Sequence, residues 1–135
     1  MLYKENVTAE QNMRKRLLLV EDELDTQQMV RKLLEGSGYA VETVFDGAEA
    51  LGAIQMRPFD GMILDIILPE LDGIEVVRQL KASASPIPVV MLSAYQQLAL
   101  QAVREGAQAY IVKPFDAARL RHLVEHWVGP AGGIA

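Results

Sequence analysis

The sequence predicts a single α/β domain in which a five-stranded parallel sheet has helices on both faces. Four short apolar runs recur along the chain without alternating apolar and polar residues: 17–20, 62–64, 89–92 and 110–112. Such runs are typical of strands covered by helices on both faces. Helical patterns lie between them, and parallel strands need crossover connections of about helix length. A chain of 135 residues fits one domain of this kind.

The order of the strands follows from the same alternation. A fifth segment, 40–44, is interrupted by Glu42 and Thr43 and fits an edge strand better than a central one. Five strands alternating with five helices favour the flavodoxin-like, doubly wound order 2-1-3-4-5. Ligands of such sheets bind outside the carboxyl ends of the strands, so the residues after each strand are the candidates for chemistry.

Acidic residues mark where three of the helices begin. Asp46 with Glu49 has the spacing of a capping pair, opening a helix that runs to about residue 56, and Asp72 with Glu75 repeats it. Asp116 is predicted to cap the last helix. The neighbouring residues 115 and 120, a phenylalanine and a leucine, have the spacing of a hydrophobic staple.

The other helix ends and the buried faces follow from glycines and helical periodicity. Gly36 is placed to end the first helix, and Gly106 the helix over 96–105. One apolar stripe is predicted on the first helix and one on the last: Met29, Val30, Leu33 and Leu34; Leu120, Leu123, Val124 and Trp127.

Composition excludes several classes of protein. The net charge of −5, from 13 basic and 18 acidic residues, argues weakly against sequence-independent binding of nucleic acid. Cysteine is absent, which excludes disulfide frameworks and thiolate metal sites and fits a reducing compartment. No apolar run approaches the roughly 20 residues that span a bilayer, and the start of the chain lacks the apolar segment of a secretory signal. We therefore expect a cytoplasmic protein that contacts neither membrane nor nucleic acid.

The chain divides by composition into three parts. Residues 1–14 form a polar amino-terminal extension, residues 15–128 the folded domain, and residues 129–135 (GPAGGIA) a tail of flexible composition.

Acidic, hydroxyl and amine side chains follow the predicted strands. Glu21 and Asp22 come after the first strand, Asp65 ends the third, Ser93 the fourth and Lys113 the fifth. Because the carboxyl ends of parallel strands meet at one edge of a sheet, we expect one acidic pocket. Two carboxylates some 4 Å apart repel by about 4 kcal/mol at an effective dielectric of about 20. A shared cation, an added proton or screening by water relieves this repulsion. If a cation is bound, oxygen-only ligands without His or Cys favour Mg²⁺ over zinc or copper.

Asp65 is the best candidate for a nucleophile, because it lies at the middle of the predicted pocket. A carboxylate that attacks phosphorus forms an aspartyl phosphate, a known form of covalent catalysis. Ser93 could donate a hydrogen bond to one phosphoryl oxygen, and Lys113 could pair with another. Ala94, which is small, leaves room for a donor to approach.

Four strings around these residues resemble response-regulator receiver domains of the chemotaxis-regulator type: LLLVEDE, MILDIILPELDG, VVMLSAY and AYIVKPF. The resemblance extends from about Lys15 to Val128, and four strings in the same order are a specific signal. It implies a signalling module of a two-component system. Such a module takes a phosphoryl group from a sensor histidine kinase or a histidine phosphotransfer protein and catalyses only its own phosphorylation and slow dephosphorylation.

By this resemblance, Asp65 is the phosphoacceptor and also a ligand of Mg²⁺. Asp22 binds the ion directly, Glu21 helps to hold it, partly through water, and the backbone carbonyl of Ile67 supplies another ligand. Glu21 stands where the family frequently has aspartate. The longer side chain of glutamate still fits this role at the Mg²⁺ site.

The resemblance also implies a switch. Ser93 and Lys113 contact the phosphoryl group, Tyr110 is the aromatic switch residue, and the peptide bond between Lys113 and Pro114 is cis. Ser93 stands where threonine is frequent, which keeps the hydroxyl and loses a methyl group. The face made by the fourth helix, the fifth strand and the fifth helix would serve for output.

Two bulky residues lie beside the predicted phosphorylation site, at positions where the family varies. Ile67 and Tyr95 could hinder an attacking water molecule, from which we expect slow self-dephosphorylation.

Three rival functions compete with this interpretation. A haloacid-dehalogenase-type phosphatase needs an Asp-x-Asp element, but Asp65 is followed by Ile66 and Ile67. A flavodoxin-like electron carrier needs a hydroxyl- and glycine-rich loop after the first strand, where this chain has three acidic residues, 21–23. A pseudo-receiver, an interaction module that never becomes phosphorylated, remains the main alternative.

Two further features are given simpler interpretations. His122 and His126 have a spacing that can chelate metal, but no third ligand is evident nearby, and a solvated helix face is favoured. The stretch 106–109 (GAQA) lacks the acidic pair through which winged-helix regulators dimerise, so that dimer is disfavoured. We expect a monomer or a weak homodimer with an output partner that the sequence does not identify.

Overall fold

A computed structural model describes residues 14–132. Within these residues, five strands alternate with five helices. In chain order the elements are β1 (Arg16–Val20), α1 (Leu24–Gly36), β2 (Ala40–Val44), α2 (Gly47–Met56), β3 (Gly61–Asp65), α3 (Gly73–Ala82), β4 (Val89–Ser93), α4 (Gln96–Glu105), β5 (Ala109–Val112) and α5 (Ala117–Trp127).

The strands form one fully parallel sheet in the order β2-β1-β3-β4-β5. This confirms the predicted α/β fold, and β2 is an edge strand, as its interrupted apolar pattern indicates. The register aligns Val20 with Leu64, the residue before Asp65, and pairs Ser93 with Val112, the residue before Lys113. The strand ends are therefore level, and the residues that follow them lie at one edge of the sheet.

Alternate residues of the buried strands point into two separate cores. Leu18, Met62 and Met91 belong to the core beneath α2, α3 and α4, whereas Leu17 and Ile63 belong to the core beneath α1 and α5. All residues of β3 and β4 are buried. Burial on both faces explains why the strands have no polar alternation, since neither face meets water.

The predicted caps at the starts of three helices are present. Asp46 accepts a hydrogen bond from the backbone N–H of Glu49 (2.8 Å), and Asp72 accepts one from that of Glu75 (3.0 Å). Asp116 accepts one from the N–H of Ala118 (2.7 Å). Each cap satisfies a backbone donor that the first helical turn leaves free and fixes where the strand-to-helix connection ends.

Most residues of the apolar stripes predicted for α1 and α5 are at least partly buried, but the prediction was wrong for two of them. Met29 is 55% exposed and Trp127 is 42% exposed. Both lie at the margins of their stripes, where a period of 3.6 residues carries a side chain away from the sheet. α1 ends at Gly36, but the left-handed backbone falls at Gly38, whose φ is 102°.

A short segment after α5 crosses the amino end of the sheet. The N–H of Lys15 donates to the carbonyl of Ala131 (2.6 Å), and Arg14 forms an antiparallel bridge with Gly132. The buried hydroxyl of Tyr39 donates to the carbonyl of Gly129 (2.6 Å). Three residues of the predicted flexible tail, Gly129, Ala131 and Gly132, are thus bonded to the domain. Residues 133–135, like residues 1–13 of the extension, lie outside the described residues. Among the helices described, none is both long and apolar enough to cross a membrane.

Candidate functional site

Three carboxylates meet at the carboxyl edge of the sheet. Glu21 and Asp22 follow β1, and Asp65 is the last residue of β3. One carboxylate oxygen of each lies within 4.8 Å of the others. Glu21 and Asp65 are buried, with 1% and 7% of their surfaces exposed, while Asp22 is exposed. The cluster therefore has a buried floor and one side open to solvent.

Lys113 lies between two of these carboxylates. Its ammonium is 2.9 Å from Oε1 of Glu21 and 2.9 Å from Oδ2 of Asp65. The backbone N–H of Lys113 donates to the carbonyl of Ser93 (2.8 Å), which holds the lysine beside β4. The peptide bond that follows it, to Pro114, is cis.

Burial and these contacts shift two pKa values. Burial raises the pKa of Glu21 to about 7; the hydrogen bonds from Lys113 and from the N–H of Glu23 oppose that rise, and the negative charge of Asp65 adds to it. For Lys113, burial lowers the pKa, but the hydrogen bonds to Glu21 and Asp65 outweigh burial and raise it. The lysine thus stays protonated and compensates part of the buried negative charge.

Ser93 is buried at the end of β4, but its hydroxyl is bonded locally. Oγ accepts a hydrogen bond from the N–H of Tyr95 and donates one to the carbonyl of Tyr95, both at 2.9 Å. Tyr95 is the residue before α4. The hydroxyl therefore ties the end of β4 to the start of α4.

The remaining predicted site residues lie outside the acidic cluster, at several places in the fold. Ala94 is exposed, and Ile67 and Tyr95 are each 56% exposed on the connections that follow β3 and β4. Tyr110 is half-buried on β5 and packs against the core beneath α4. It also lines a surface cavity of about 320 Å³ that reaches α5 at Arg119. His122 and His126 are both exposed on α5.

Two residues that support the site were not predicted from the sequence. The side-chain amide of Gln27, buried on α1, donates to the backbone carbonyls of Glu21 (3.0 Å) and Val44 (3.1 Å). It thereby fixes the loop that carries the first two acids. Gln27 lies three residues before Val30 on the buried stripe of α1, and a polar residue at such a position is the signal that could have revealed it.

Gly73 is the second supporting residue. Its N–H donates to the carbonyl of Ile66 (2.7 Å), and a Cβ atom at this position would lie 2.3 Å from the carbonyl oxygen of Asp65. Only glycine lets α3 begin this close to the end of β3. Asp72 and Glu75, which mark this helix start in the sequence, point to the position without revealing the close approach.

The donor set of the cluster fits Mg²⁺. All the ligand atoms on offer are carboxylate oxygens, and hard divalent cations prefer such ligands. Mg²⁺ usually keeps several waters, and the exposed side of the cluster at Asp22 allows this. A divalent ion would also offset the negative charge that Lys113 alone does not balance.

The fold and this pocket define a doubly wound α/β module with a lysine-bridged acidic cluster at its carboxyl edge. A family model described as the response regulator receiver domain matches residues 17–125. The chain therefore belongs to the response regulator receiver domain family, whose members are signalling modules of two-component systems.

Individual relatives agree with this assignment. The response regulator MprA of Mycobacterium avium (strain 104) is 36% identical over 115 residues, which cover 81% of this chain and 50% of that protein. The chain thus spans about half the length of the curated relatives it matches. Among solved structures, the receiver domain of NtrX from Brucella abortus has a TM-score of 0.78 at 36% identity, covering 83% of this chain and 97% of that one.

A further structure that is similar to this chain was solved with a metal ion bound. The receiver domain of the sensor histidine kinase PA1611 from Pseudomonas aeruginosa PAO1 has a TM-score of 0.79 at 30% identity, covering 86% of this chain and 98% of that one. That structure has a magnesium ion coordinated in its active-site cleft.

Proposed function

We propose that this chain is a phosphoacceptor: with Mg²⁺ bound, Asp65 takes a phosphoryl group from a phosphohistidine and the change alters partner binding. The observation that carries this proposal is the position of Lys113, whose ammonium lies 2.9 Å from both Glu21 and Asp65 beside an exposed Asp22. A nucleophilic carboxylate, a nearby fixed cation and a set of oxygen ligands are what phosphoryl transfer to a carboxylate requires.

In the transfer step, a carboxylate oxygen of Asp65 attacks phosphorus. The P–N bond of the phosphohistidine breaks, and its electron pair stays on the imidazole nitrogen. Asp65 is only 7% exposed, so a donor has narrow access to it from solvent. The small side chain of Ala94 leaves space for that donor. Lys113 is placed to pair with a phosphoryl oxygen once that group is attached.

Four groups are proposed to hold Mg²⁺: the carboxylates of Glu21, Asp22 and Asp65 and the backbone carbonyl of Ile67. When bound, the ion would neutralise charge on the phosphoryl group and its transition state. The burial of Glu21 supports its inclusion, because an uncompensated buried carboxylate is costly and a shared cation relieves that cost.

The switch is proposed to begin at Ser93. Its hydroxyl would exchange the two hydrogen bonds to Tyr95 for one to a phosphoryl oxygen, which releases the residue before α4. Tyr110 could then turn inward and reshape the face formed by α4, β5 and α5. Moving a switch from 1:99 to 99:1 needs about 5.5 kcal/mol. Two or three hydrogen bonds to charged groups, at about 1.5–3 kcal/mol each, are of that order.

Intact-mass measurement after incubation with acetyl phosphate and Mg²⁺ tests the proposal. We expect a gain of one phosphoryl mass that Asp65→Asn abolishes and that chelation of the metal prevents. Glu35→Gln, which removes a carboxylate at the far end of α1, should keep the gain. Wild-type protein that gains no mass would overturn the proposal and favour the pseudo-receiver alternative.

A further inference from the structure

The outer edge of β2 carries backbone groups that the domain does not use. The N–H of Ala40 donates to the carbonyl of Lys15, and the register turns the backbone groups of every second residue of β2 towards β1 in the same way. Because successive strand residues direct these groups to opposite edges, those of Val41 and Thr43 point away from the sheet. Within residues 14–132, these two N–H and two carbonyl groups have no hydrogen-bond partner. The edge is therefore able to pair with another strand.

A groove runs along this edge. Its volume is about 410 Å³, and it is lined from both faces of the sheet. Val41, which packs on the core beneath α1, lines it together with Arg31 of α1. Arg16 and Phe59 line it from the other face, where Phe59 belongs to the core beneath α2. An added strand places alternate side chains on the two faces of a sheet, so the groove has the shape for an extended peptide.

Arginine is the main charged residue of the groove. Arg16 and Arg31 line it, and the one acidic residue among the lining residues, Glu42, is hydrogen-bonded by Arg57. The guanidinium of Arg16 lies over the ring of Phe59, 5.4 Å from its centroid, and its buried Nε has no hydrogen-bond partner within the described residues. A buried donor without an acceptor is unfavourable, so a ligand that brings an oxygen acceptor into the groove is favoured.

We propose that β2 binds an extended, acidic segment of another protein, which joins the sheet as a sixth strand. The outward groups of Val41 and Thr43 pair with the backbone of that segment, and its carboxylates lie beside Arg16 and Arg31. The site is on the opposite edge of the sheet from β5, which belongs to the proposed switch face. This inference therefore does not depend on the phosphoacceptor function.

Two short synthetic peptides test the charge preference and the position of the site. Valine alternates with glutamate in one and with lysine in the other. At saturation of the full chain with the glutamate peptide, we expect amide hydrogen exchange at Val41 and Thr43 to slow at least about tenfold. Exchange at Glu42, whose N–H faces β1, should stay unchanged. At low ionic strength the lysine peptide should bind at least about tenfold more weakly. Equal binding of both peptides, or of neither, overturns the inference.

Backbone pairing is tested by a glutamate peptide that is methylated at its backbone nitrogens. This peptide keeps the charge and the side chains but cannot donate backbone hydrogen bonds, so its affinity should fall at least about tenfold. A methylated peptide that binds as tightly as the parent peptide overturns the addition of a strand. Slow exchange at Val41 and Thr43 before any peptide is added also overturns the inference, because another part of the chain or a second copy would then occupy the edge.

A proline variant tests the edge from the side of the protein. Thr43→Pro removes an outward N–H and no hydrogen bond to β1, a position at which an edge strand accepts proline. We expect it to weaken the glutamate peptide at least about tenfold while urea unfolding shows that the domain is still folded. A folded variant that binds the peptide like wild type contradicts the proposed pairing.

A charge variant keeps the backbone of β2 unchanged. Arg31→Gln should weaken the glutamate peptide severalfold and strengthen the lysine peptide. Arg121→Gln is the matched control, because Arg121 pairs with Glu125 four residues on, as Arg31 does with Glu35, but lies on α5. It should alter neither affinity. If the two variants have equal effects, net charge is responsible and the groove at β2 is not the site.

Discussion

The ammonium of Lys113 donates a 2.9 Å hydrogen bond to the carboxylate of Asp65, although 48 positions separate the two residues in the chain. The contact exists because β3 and β5 end level at the same edge of the sheet, with β4 between them. It joins a cation to the proposed phosphoacceptor and, through the same nitrogen, to Glu21.

Replacing Lys113 with alanine should destabilise the metal-free protein. Glu21 and Asp65 would lose a shared cation, and we expect a loss of about 2 kcal/mol, below the values for fully buried pairs because the lysine is partly exposed. Urea unfolding in EDTA measures this, with the exposed Lys32→Ala as the control. Added Mg²⁺ should restore part of the loss. A variant as stable as wild type in EDTA would show that the lysine does not compensate these charges.

Gly73→Ala should disrupt the site through the backbone. The new Cβ atom would lie 2.3 Å from the carbonyl oxygen of Asp65 and 2.8 Å from Cα of Ile66, and neither atom can yield without moving β3. We expect the unfolding free energy to fall by about 3 kcal/mol, or the variant not to fold. Gly52→Ala is the matched control, because nothing lies within 4 Å of its new Cβ inside α2. That change should stabilise the protein by about 0.5–1 kcal/mol.

Ser93→Ala should uncouple phosphorylation from α4. Wild-type Ser93 bonds both backbone groups of Tyr95, and we expect these groups to be released when the hydroxyl turns to a phosphoryl group. Amide hydrogen exchange near Tyr95 should therefore quicken on phosphorylation of the wild type. In Ser93→Ala, the exchange near Tyr95 should already be fast before phosphorylation and should change little after it. Ser93→Thr, which keeps the hydroxyl, should behave like wild type. Identical exchange in both phosphorylation states of the wild type would contradict this coupling.

Truncating Ile67 and Tyr95 together to alanine should shorten the phosphoryl lifetime. Both side chains are 56% exposed, and we expect them to restrict the approach of water to a phosphorylated Asp65. Loss of the phosphoryl mass after donor removal measures the rate, and we expect an increase of several-fold. An unchanged half-life in the double variant counts against the shielding role.

Tyr39 should make stability depend on pH in the alkaline range. Burial, and to a smaller extent the charge of Glu125, raise the pKa of Tyr39 from 10.0 to about 12. The unfolded chain releases this proton near pH 10, before the folded protein does. The stabilising contribution is therefore complete below pH 10 and is lost as the pH rises through about 12.

The variant Tyr39→Phe isolates this effect. It should lose about 1 kcal/mol at neutral pH, because the hydrogen bond to the carbonyl of Gly129 is removed. The difference in unfolding free energy between wild type and variant, followed by urea titration, should shrink and then reverse its sign between pH 10 and 12. A difference that stays constant across that range would refute the shifted pKa.

Sequence patterns predicted the sheet and the meeting of the acids for one physical reason. Strands buried on both faces cannot alternate, and parallel strands bring their carboxyl ends to one edge, so Glu21, Asp65 and Lys113 had to converge. Short-range features such as the caps at Asp46 and Asp72 could also be predicted from the sequence, because donor and acceptor lie three residues apart.

The hydrogen-bond partners and the exposure of several individual side chains could not be predicted from the sequence. The sequence does not show that the hydroxyl of Ser93 bonds the backbone of Tyr95, and the predicted contact of Ser93 with a phosphoryl group stays a prediction. The buried amide of Gln27 reaches two loops that the sequence does not show to be adjacent. The exposure of Trp127 likewise depends on where α5 ends against the sheet.

The bridge between Arg14 and Gly132 places the two ends of the described domain side by side. A short glycine-serine linker could therefore join residue 132 to residue 14 without spanning the molecule. New termini could be opened after α3, between Ser83 and Ala84, where the chain is exposed and Ala84 has a positive φ of 56°. Such a circular permutant should keep the acidic cluster intact, since all its residues lie at the carboxyl edge of the sheet and the new termini lie at the other end.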